Sequence, residues 1–342
     1  MKKRLMARQK HASVHPAEAL PQERQTQENR LAPGVEEYLR AATRDNTRRS
    51  YRAAVEHFEG HWGGLLPATA DSVARYLAHY GGQLSLATLK QRLAGLSVWH
   101  QQQGFADPTK APHVRKVIKG IAELHPAKSK QAQPIQLEQL QQLAAYLQQS
   151  IEHDDPPQAL TALRDRVILL LGFWRAFRSD ELVRLEVQHI QAKSGAGMSL
   201  WLARSKGDRS LQGRDYQVPA LRQLCPVEAY IDWIDAAGLG EGNVFRAIDR
   251  WGNISSSGMH PVSITNILRQ RLSQVGLMNS KGFSSHSLRR GFASWANGQG
   301  WDTRRLMEYV GWRDVQSALR YIDNPTPFAA QWLADAPGKH ES

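Results

Sequence analysis

The chain has 342 residues, a length that predicts two domains. Its 41% hydrophobic and 22% charged content is globular and excludes wholesale disorder. Forty-four Lys and Arg against 32 Asp and Glu leave a formal charge of +12, which predicts a polyanionic partner, nucleic acid before anionic membrane. No apolar run approaches the roughly 18 residues of a bilayer span, so no membrane partner is expected. The basic start has no apolar core behind it, so no secretory signal is expected. Cys225 is the single cysteine, which excludes an internal disulfide and a multi-cysteine zinc site and suits a cytoplasmic protein.

Residues 1–32 are polar and rich in Gln and Arg, and read as a flexible basic arm. Residues 33–125 carry helical periodicity throughout. Gly34–Ala42 opens the region, and Tyr51, Val55 and Phe58 recur at helical spacing. Thr69 is placed to cap a helix that turns Val73, Tyr76 and Leu77 to one side. Ser85 to Gln103 aligns Leu86, Leu89, Leu93, Leu96 and Trp99 in one stripe and stops at Gly104; a further helix lies near Val114–Glu123. With no convincing strand, this part is predicted to be an all-helical domain.

Residues 126–134 are polar, basic and bounded by prolines, as an exposed linker would be. Residues 135–342 then form a second domain with a C-terminal tail. Helices are predicted at Leu137–Ile151 and Leu160–Phe173, the latter central because Val167–Leu171 is apolar all round. Strands are predicted at Met198–Leu202 and Tyr216–Val218. Helices return at Pro226–Ala237, Val262–Val275, His286–Asn297, Thr303–Val310 and Val315–Tyr321. The expected fold class is therefore mainly α, with a small β-sheet or hairpin in the C-terminal domain.

Four short segments collect the reactive side chains. They are Arg175 to Leu182, Arg204 to Arg209, His286 to Arg290, and Gly311 to Asp314 followed by Tyr321. On a helix His286 and Arg289 share one face, as do Arg178 and Glu181. Two guanidinium groups suit a phosphodiester, because each donates two hydrogen bonds to non-bridging oxygens. Taken singly these features are ordinary: His-x-x-Arg is commonly a solvated helix face, Arg178 with Glu181 a surface ion pair, Lys206 a solubilising charge, Trp312 core and Tyr321 half-buried. Their order and spacing together are not ordinary.

Residues 135–325 resemble the catalytic domain of the tyrosine recombinases, or phage integrase family, and the preceding helical domain resembles that family's core-binding domain. Phe177-Arg178-Ser179-Asp180-Glu181-Leu182 is similar to the first arginine motif, and His286-Ser287-Leu288-Arg289-Arg290-Gly291 to the second. Lys206 matches the β-hairpin lysine, with Arg204, Arg209 and Arg214 crowding the same hairpin. Gly311-Trp312 with Tyr321 resembles the end of the pattern; Trp312 stands where most members carry histidine and the Cre-like branch carries tryptophan. The usual Gly-Leu-Arg is here Ala176-Phe177-Arg178, and Arg175 is a rival first arginine, less suited because only Arg178 places Glu181 three residues on.

The resemblance implies a two-domain clamp on DNA and transesterification at a scissile phosphate. Tyr321 would be the nucleophile, making a 3′-phosphotyrosine as a 5′-hydroxyl leaves. Arg178 and Arg289 would hold the phosphate, with Glu181 orienting Arg178 or His286. His286 would accept a proton or bond the phosphate, Lys206 would protonate the leaving oxygen, and Trp312 would bond the phosphate or pack the tyrosine. One ester replaces another, so no cofactor, ATP or metal is expected. Double-stranded DNA is the expected partner, with Arg48, Arg49, Lys90, Arg92, Lys128, Lys130 and Arg290 as candidate DNA contacts. A homotetramer on two DNA sites is implied, joined through the tail with Phe328, Trp332 and Leu333 unless that tail packs on its own domain. The alternatives are a type IB topoisomerase-like enzyme and a catalytically idle DNA-binding accessory protein.

Overall fold

The computed structural model describes residues 33–126, 131–203, 212–277, 279–312, 314–319 and 321. The chain divides into two compact units, Met1–Ser129 and Lys130–Ser342. The N-terminal arm, Lys128, Lys130, the hairpin residues Arg204, Lys206 and Arg209, and the tail beyond Tyr321 lie outside the described residues.

The described part of the first unit is helical. Helix α1 spans Pro33–Ala42, α2 Asp45–Glu56, α3 Ala70–Tyr80, α4 Leu86–Gln102 and α5 Pro112–Leu124. Helix α2 runs on into a π-helical turn, His57–His61. Thr69 and Ser85 cap α3 and α4, each accepting a backbone N–H three residues on at 3.1 Å. Val73, Tyr76, Leu77, Leu89 and Leu96 are fully buried together with Phe58. Helices α2 and α4 approach closely because Gly95 sits at the contact: a Cβ there would lie 2.5 Å from the Cβ of Ala54.

The second unit is built around α7, Pro156–Trp174. Asp155 caps its start, two prolines occupy its first turn, and Val167 to Leu171 is buried on every side. Helices α6 (Leu137–His153), α9 (Pro226–Ala237) and α11 (Ser285–Gly298) pack around it. Within this packing Asp165 joins Arg164 at 2.7 Å and Arg271 at 2.7 Å, all three buried. Paired in this way, a buried carboxylate avoids the several kcal/mol that it would cost alone.

Strands β1 (Ile190–Lys193), β2 (Gly197–Leu202) and β3 (Arg214–Pro219) form an antiparallel sheet in which Leu200 faces Tyr216. A second hairpin joins β4 (Arg246–Ile248) to β5 (Ile254–Gly258). Helix α10 covers Pro261–Gln274, α12 Thr303–Val310 and α13 Val315–Leu319. The last helix thus ends two residues before Tyr321, where a helix reaching Tyr321 was expected; Tyr321 follows in a turn, its N–H bonded to the Ala318 carbonyl at 2.9 Å.

Residues 131–135 lie along α11. The Gln133 N–H bonds the Gly282 carbonyl at 3.0 Å and the Ile135 N–H bonds that of Ser287 at 3.1 Å. Gly291 lets this strand of chain pass, since a Cβ there would overlap the Ile135 carbonyl.

Candidate active site

Three pieces of chain converge on one place. The first is the corner after α7. Arg175 caps the helix by donating its N–H to the Leu171 carbonyl at 3.0 Å. Ala176 then turns the chain at φ +52°, a left-handed conformation that a Cβ makes costly. Arg178 precedes the short helix α8, Ser179–Leu182. The Glu181 carboxylate reaches back to it twice, accepting from the Arg178 backbone N–H at 2.8 Å and from its Nη1 at 2.7 Å.

The second piece is α11. Ser284 caps it, its hydroxyl accepting from the His286 N–H at 3.2 Å. His286 in the first turn is exposed, and Arg289 one turn later is almost wholly buried, at 1% exposure. Arg289 Nη1 donates to the Ala176 carbonyl at 2.5 Å and lies 3.8 Å from Glu181 Oε2. Its Nε and Nη2 are buried with no acceptor among the described residues. Burial, with Arg178 nearby adding repulsion, lowers the Arg289 pKa to about 10, so the group stays cationic at neutral pH.

The third piece follows α12. Gly311, at φ +78°, ends the helix, and the Trp312 N–H bonds the Met307 carbonyl at 3.0 Å. The indole is buried, and its Nε1 likewise has no acceptor among the described residues. The Tyr321 ring lies 5.1 Å from that of Trp312, and its hydroxyl is 3.2 Å from His286 Nδ1. The Arg289 guanidinium faces both rings, at 5.1 Å from Trp312 and 5.7 Å from Tyr321.

Arg178, Glu181, His286, Arg289, Trp312 and Tyr321 are thus gathered within one cluster. One carboxylate serves two guanidinium groups, so the cluster keeps an excess positive charge. Buried donors without acceptors lie beside an exposed imidazole and a phenol. Such a site can take up a tetrahedral dianion or monoanion and present it to a nucleophilic oxygen.

Residues 133–326, more than half of the chain, match the phage integrase family. The chain belongs to that family. Phage integrase family members of the tyrosine type cut and rejoin DNA. The chain is 27% identical over 308 residues to an integrase/recombinase XerD homologue of Selenomonas ruminantium, covering 87% of each. It is 22% identical over 277 residues to the recombinase Cre of Escherichia phage P1, covering 75% of this chain and 77% of that one. The integrase of transposon Tn1549, solved in complex with transposon right end DNA, shares the fold with a TM-score of 0.58 at 14% identity, over 88% of this chain and 96% of that one.

The remaining residues singled out from the sequence fall in different surroundings. Arg175 is buried at 4% exposure, beneath the cluster, with its guanidinium 4.0 Å from the Tyr309 ring and 4.7 Å from that of Tyr216. Burial lowers its pKa. Arg290 is also buried, against the expectation of a DNA contact: it points away from solvent, and its Nη1 donates to Gln131 Oε1 at 2.5 Å. Lys90 and Arg49 are exposed. Arg48 pairs with Asp45, Arg49 bonds Asn46 and Arg92 bonds the Ala53 carbonyl. Arg214 bonds the Glu308 carbonyl at 2.8 Å and so joins β3 to α12. Residue type argues against an interior Arg175, because arginine is ordinarily a surface residue. The crowding of aromatic residues around it, Trp174, Phe177 and Tyr309 among them, was the available signal.

Proposed function

We propose that this chain is a site-specific DNA recombinase in which Tyr321 is the nucleophile. The observation that carries the reading is that the Tyr321 hydroxyl lies 3.2 Å from His286 while its ring faces the buried Arg289 and Trp312. A phenol ordinarily titrates near pH 10, so it attacks at neutral pH only if the site stabilises its anion or removes its proton. His286, whose Nδ1 lies 3.2 Å from the phenol oxygen, takes that proton in this reading.

The Tyr321 oxygen attacks the phosphorus, the P–O bond to the 5′-oxygen breaks, and a 3′-phosphotyrosine forms. Arg178 and Arg289 donate to the non-bridging oxygens and offset the charge that builds in the pentacoordinate transition state. Trp312 supplies one further N–H, and Lys206 delivers a proton to the leaving oxygen. Glu181 holds Arg178 in place. A 5′-hydroxyl of another strand reverses the steps and leaves recombined DNA. Residues 33–125 bind DNA through Arg48, Arg49, Lys90 and Arg92, with Lys128 and Lys130 in the linker at 126–134. The active assembly is a homotetramer on two sites, joined through the tail, in the cytoplasm. The absence, among the described residues, of any helix long and apolar enough to cross a membrane fits that setting.

The test is a duplex that carries the target site with a nick, so that the leaving fragment diffuses away. The parent protein forms a covalent adduct on it. Tyr321→Phe forms none and binds the duplex within about twofold of the parent. An adduct from the variant rules out this nucleophile. Relaxation of supercoils without exchange between two sites would make the enzyme a topoisomerase instead.

A further inference from the structure

The Arg175 guanidinium is the unexplained charge of the site. It lies between the Tyr309 ring of α12 and the Tyr216 ring of β3, with Phe177 at 6.0 Å. Its Nε and Nη1 are buried with no acceptor among the described residues, so a side-chain hydrogen bond to Tyr309 leaves most of its donors unused and does not by itself account for it. Burying an arginine with unused donors is unfavourable, and a methionine of similar length would fill the space more cheaply. What arginine alone offers is a flat cation that stacks on aromatic faces in a fixed geometry.

Each contact leads to a different part of the active site. Arg175 itself is followed by Ala176, whose carbonyl holds Arg289, and then by Arg178. Tyr309 is tied to the same corner a second time, its hydroxyl donating to the Trp174 carbonyl at 2.8 Å. Three residues on, Trp312 is fixed to the end of α12 through Met307, and its ring faces Tyr321. Tyr216 pairs with Leu200 midway along the β2–β3 hairpin, the hairpin that carries Lys206.

We infer that Arg175 is a positioning residue: stacked between Tyr309 and Tyr216, it sets the register of the nucleophile segment and the β2–β3 hairpin against the corner that bears Arg178. The inference rests on the recombinase reading above. An ångström of slip between these pieces separates a phenol in line with the phosphorus from one that is not, and such misplacement costs on the order of 100-fold in rate.

The experiment compares parent and Arg175→Met on the nicked duplex under single-turnover conditions, in both directions. The variant is expected to bind the duplex within twofold of the parent and to reach the same final adduct yield. Its adduct should form about 10- to 100-fold more slowly, and strand rejoining from the adduct should slow by the same factor. Equal slowing in both directions with an unchanged endpoint marks a misplaced transition state. A packing defect instead lowers the yield and leaves the rate constant alone. Tyr309→Phe keeps the ring under the cation and removes the hydroxyl's bonds to the Trp174 carbonyl and to Arg175, and should slow both directions about 3- to 10-fold. A rate constant within twofold of the parent for either variant, or a reduced yield at parental rate, overturns the inference. Failure of the parent itself to form an adduct defeats the recombinase reading instead.

Discussion

Replacing Arg289 by methionine should stabilise the DNA-free protein while abolishing its chemistry. The guanidinium is 1% exposed, and burial brings its pKa down from 12.5 to about 10. At 1.36 kcal/mol per pKa unit, holding the charge there costs about 3 kcal/mol. Methionine removes that cost and fills similar volume, but it leaves the Ala176 carbonyl without its donor, a loss of about 1–2 kcal/mol. The balance favours Arg289→Met by about 1–2 kcal/mol. For a unit spanning Lys130–Ser342 that corresponds to a Tm roughly 2–8 °C higher. The folded pKa lies below the unfolded one, so the penalty is present at every pH below about 10 and fades as pH rises through that value. The gap between variant and parent should therefore be full at pH 7.5 and narrow above pH 10. Differential scanning calorimetry without DNA measures it, and adduct formation on the nicked duplex supplies the second readout. A Tm lowered by 2 °C or more would refute the reasoning, since Arg289 would then stabilise the fold on balance.

Glu181→Gln keeps the shape but withdraws the one carboxylate shared by Arg178 and Arg289; adduct formation should slow about 10- to 100-fold in single-turnover assays, and a rate within twofold would remove Glu181 from its orienting part. Gly291→Ala should destabilise the protein by about 1–3 kcal/mol, visible as a lowered urea midpoint, because the new Cβ meets the Ile135 backbone and the Phe173 ring at 2.9 Å. Adduct formation should be undiminished in excess EDTA, because arginines offset the phosphate charge; strict dependence on a divalent ion would contradict the assigned parts.

Much of the fold was legible in the sequence where local chemistry marks an end. Helices α9 and α12 span the ranges expected, Pro226 opening α9 and Gly238 and Gly311 closing the two helices in the left-handed conformation. Strand β1 escaped notice because Ile190-Gln191-Ala192-Lys193 lacks a run of β-branched or aromatic residues and exists by pairing with β2. The β4–β5 hairpin is likewise too short for periodicity to register. Helix α8 is a single turn, held by the Glu181 carboxylate on Arg178, so the pair foreseen as a helix-surface neighbour is in fact a helix start. The interior charges were the least legible. Arg164, Arg175, Arg271 and Arg290 are buried through partners that tertiary packing supplies, and residue type alone argues for the surface.

The moorings of residues 131–135 give the tether an unexpected mechanical address. Bonds at Gly282 and Ser287 flank His286, and Gln131 is gripped by the residue next to Arg289. Among the described residues, the start of the second unit is therefore held by the first two turns of α11 and by the Ser280–Gly282 turn just before it. The same two turns carry the imidazole and the guanidinium that face the tyrosine, so the anchor of the tether and two members of the cluster share one rigid element.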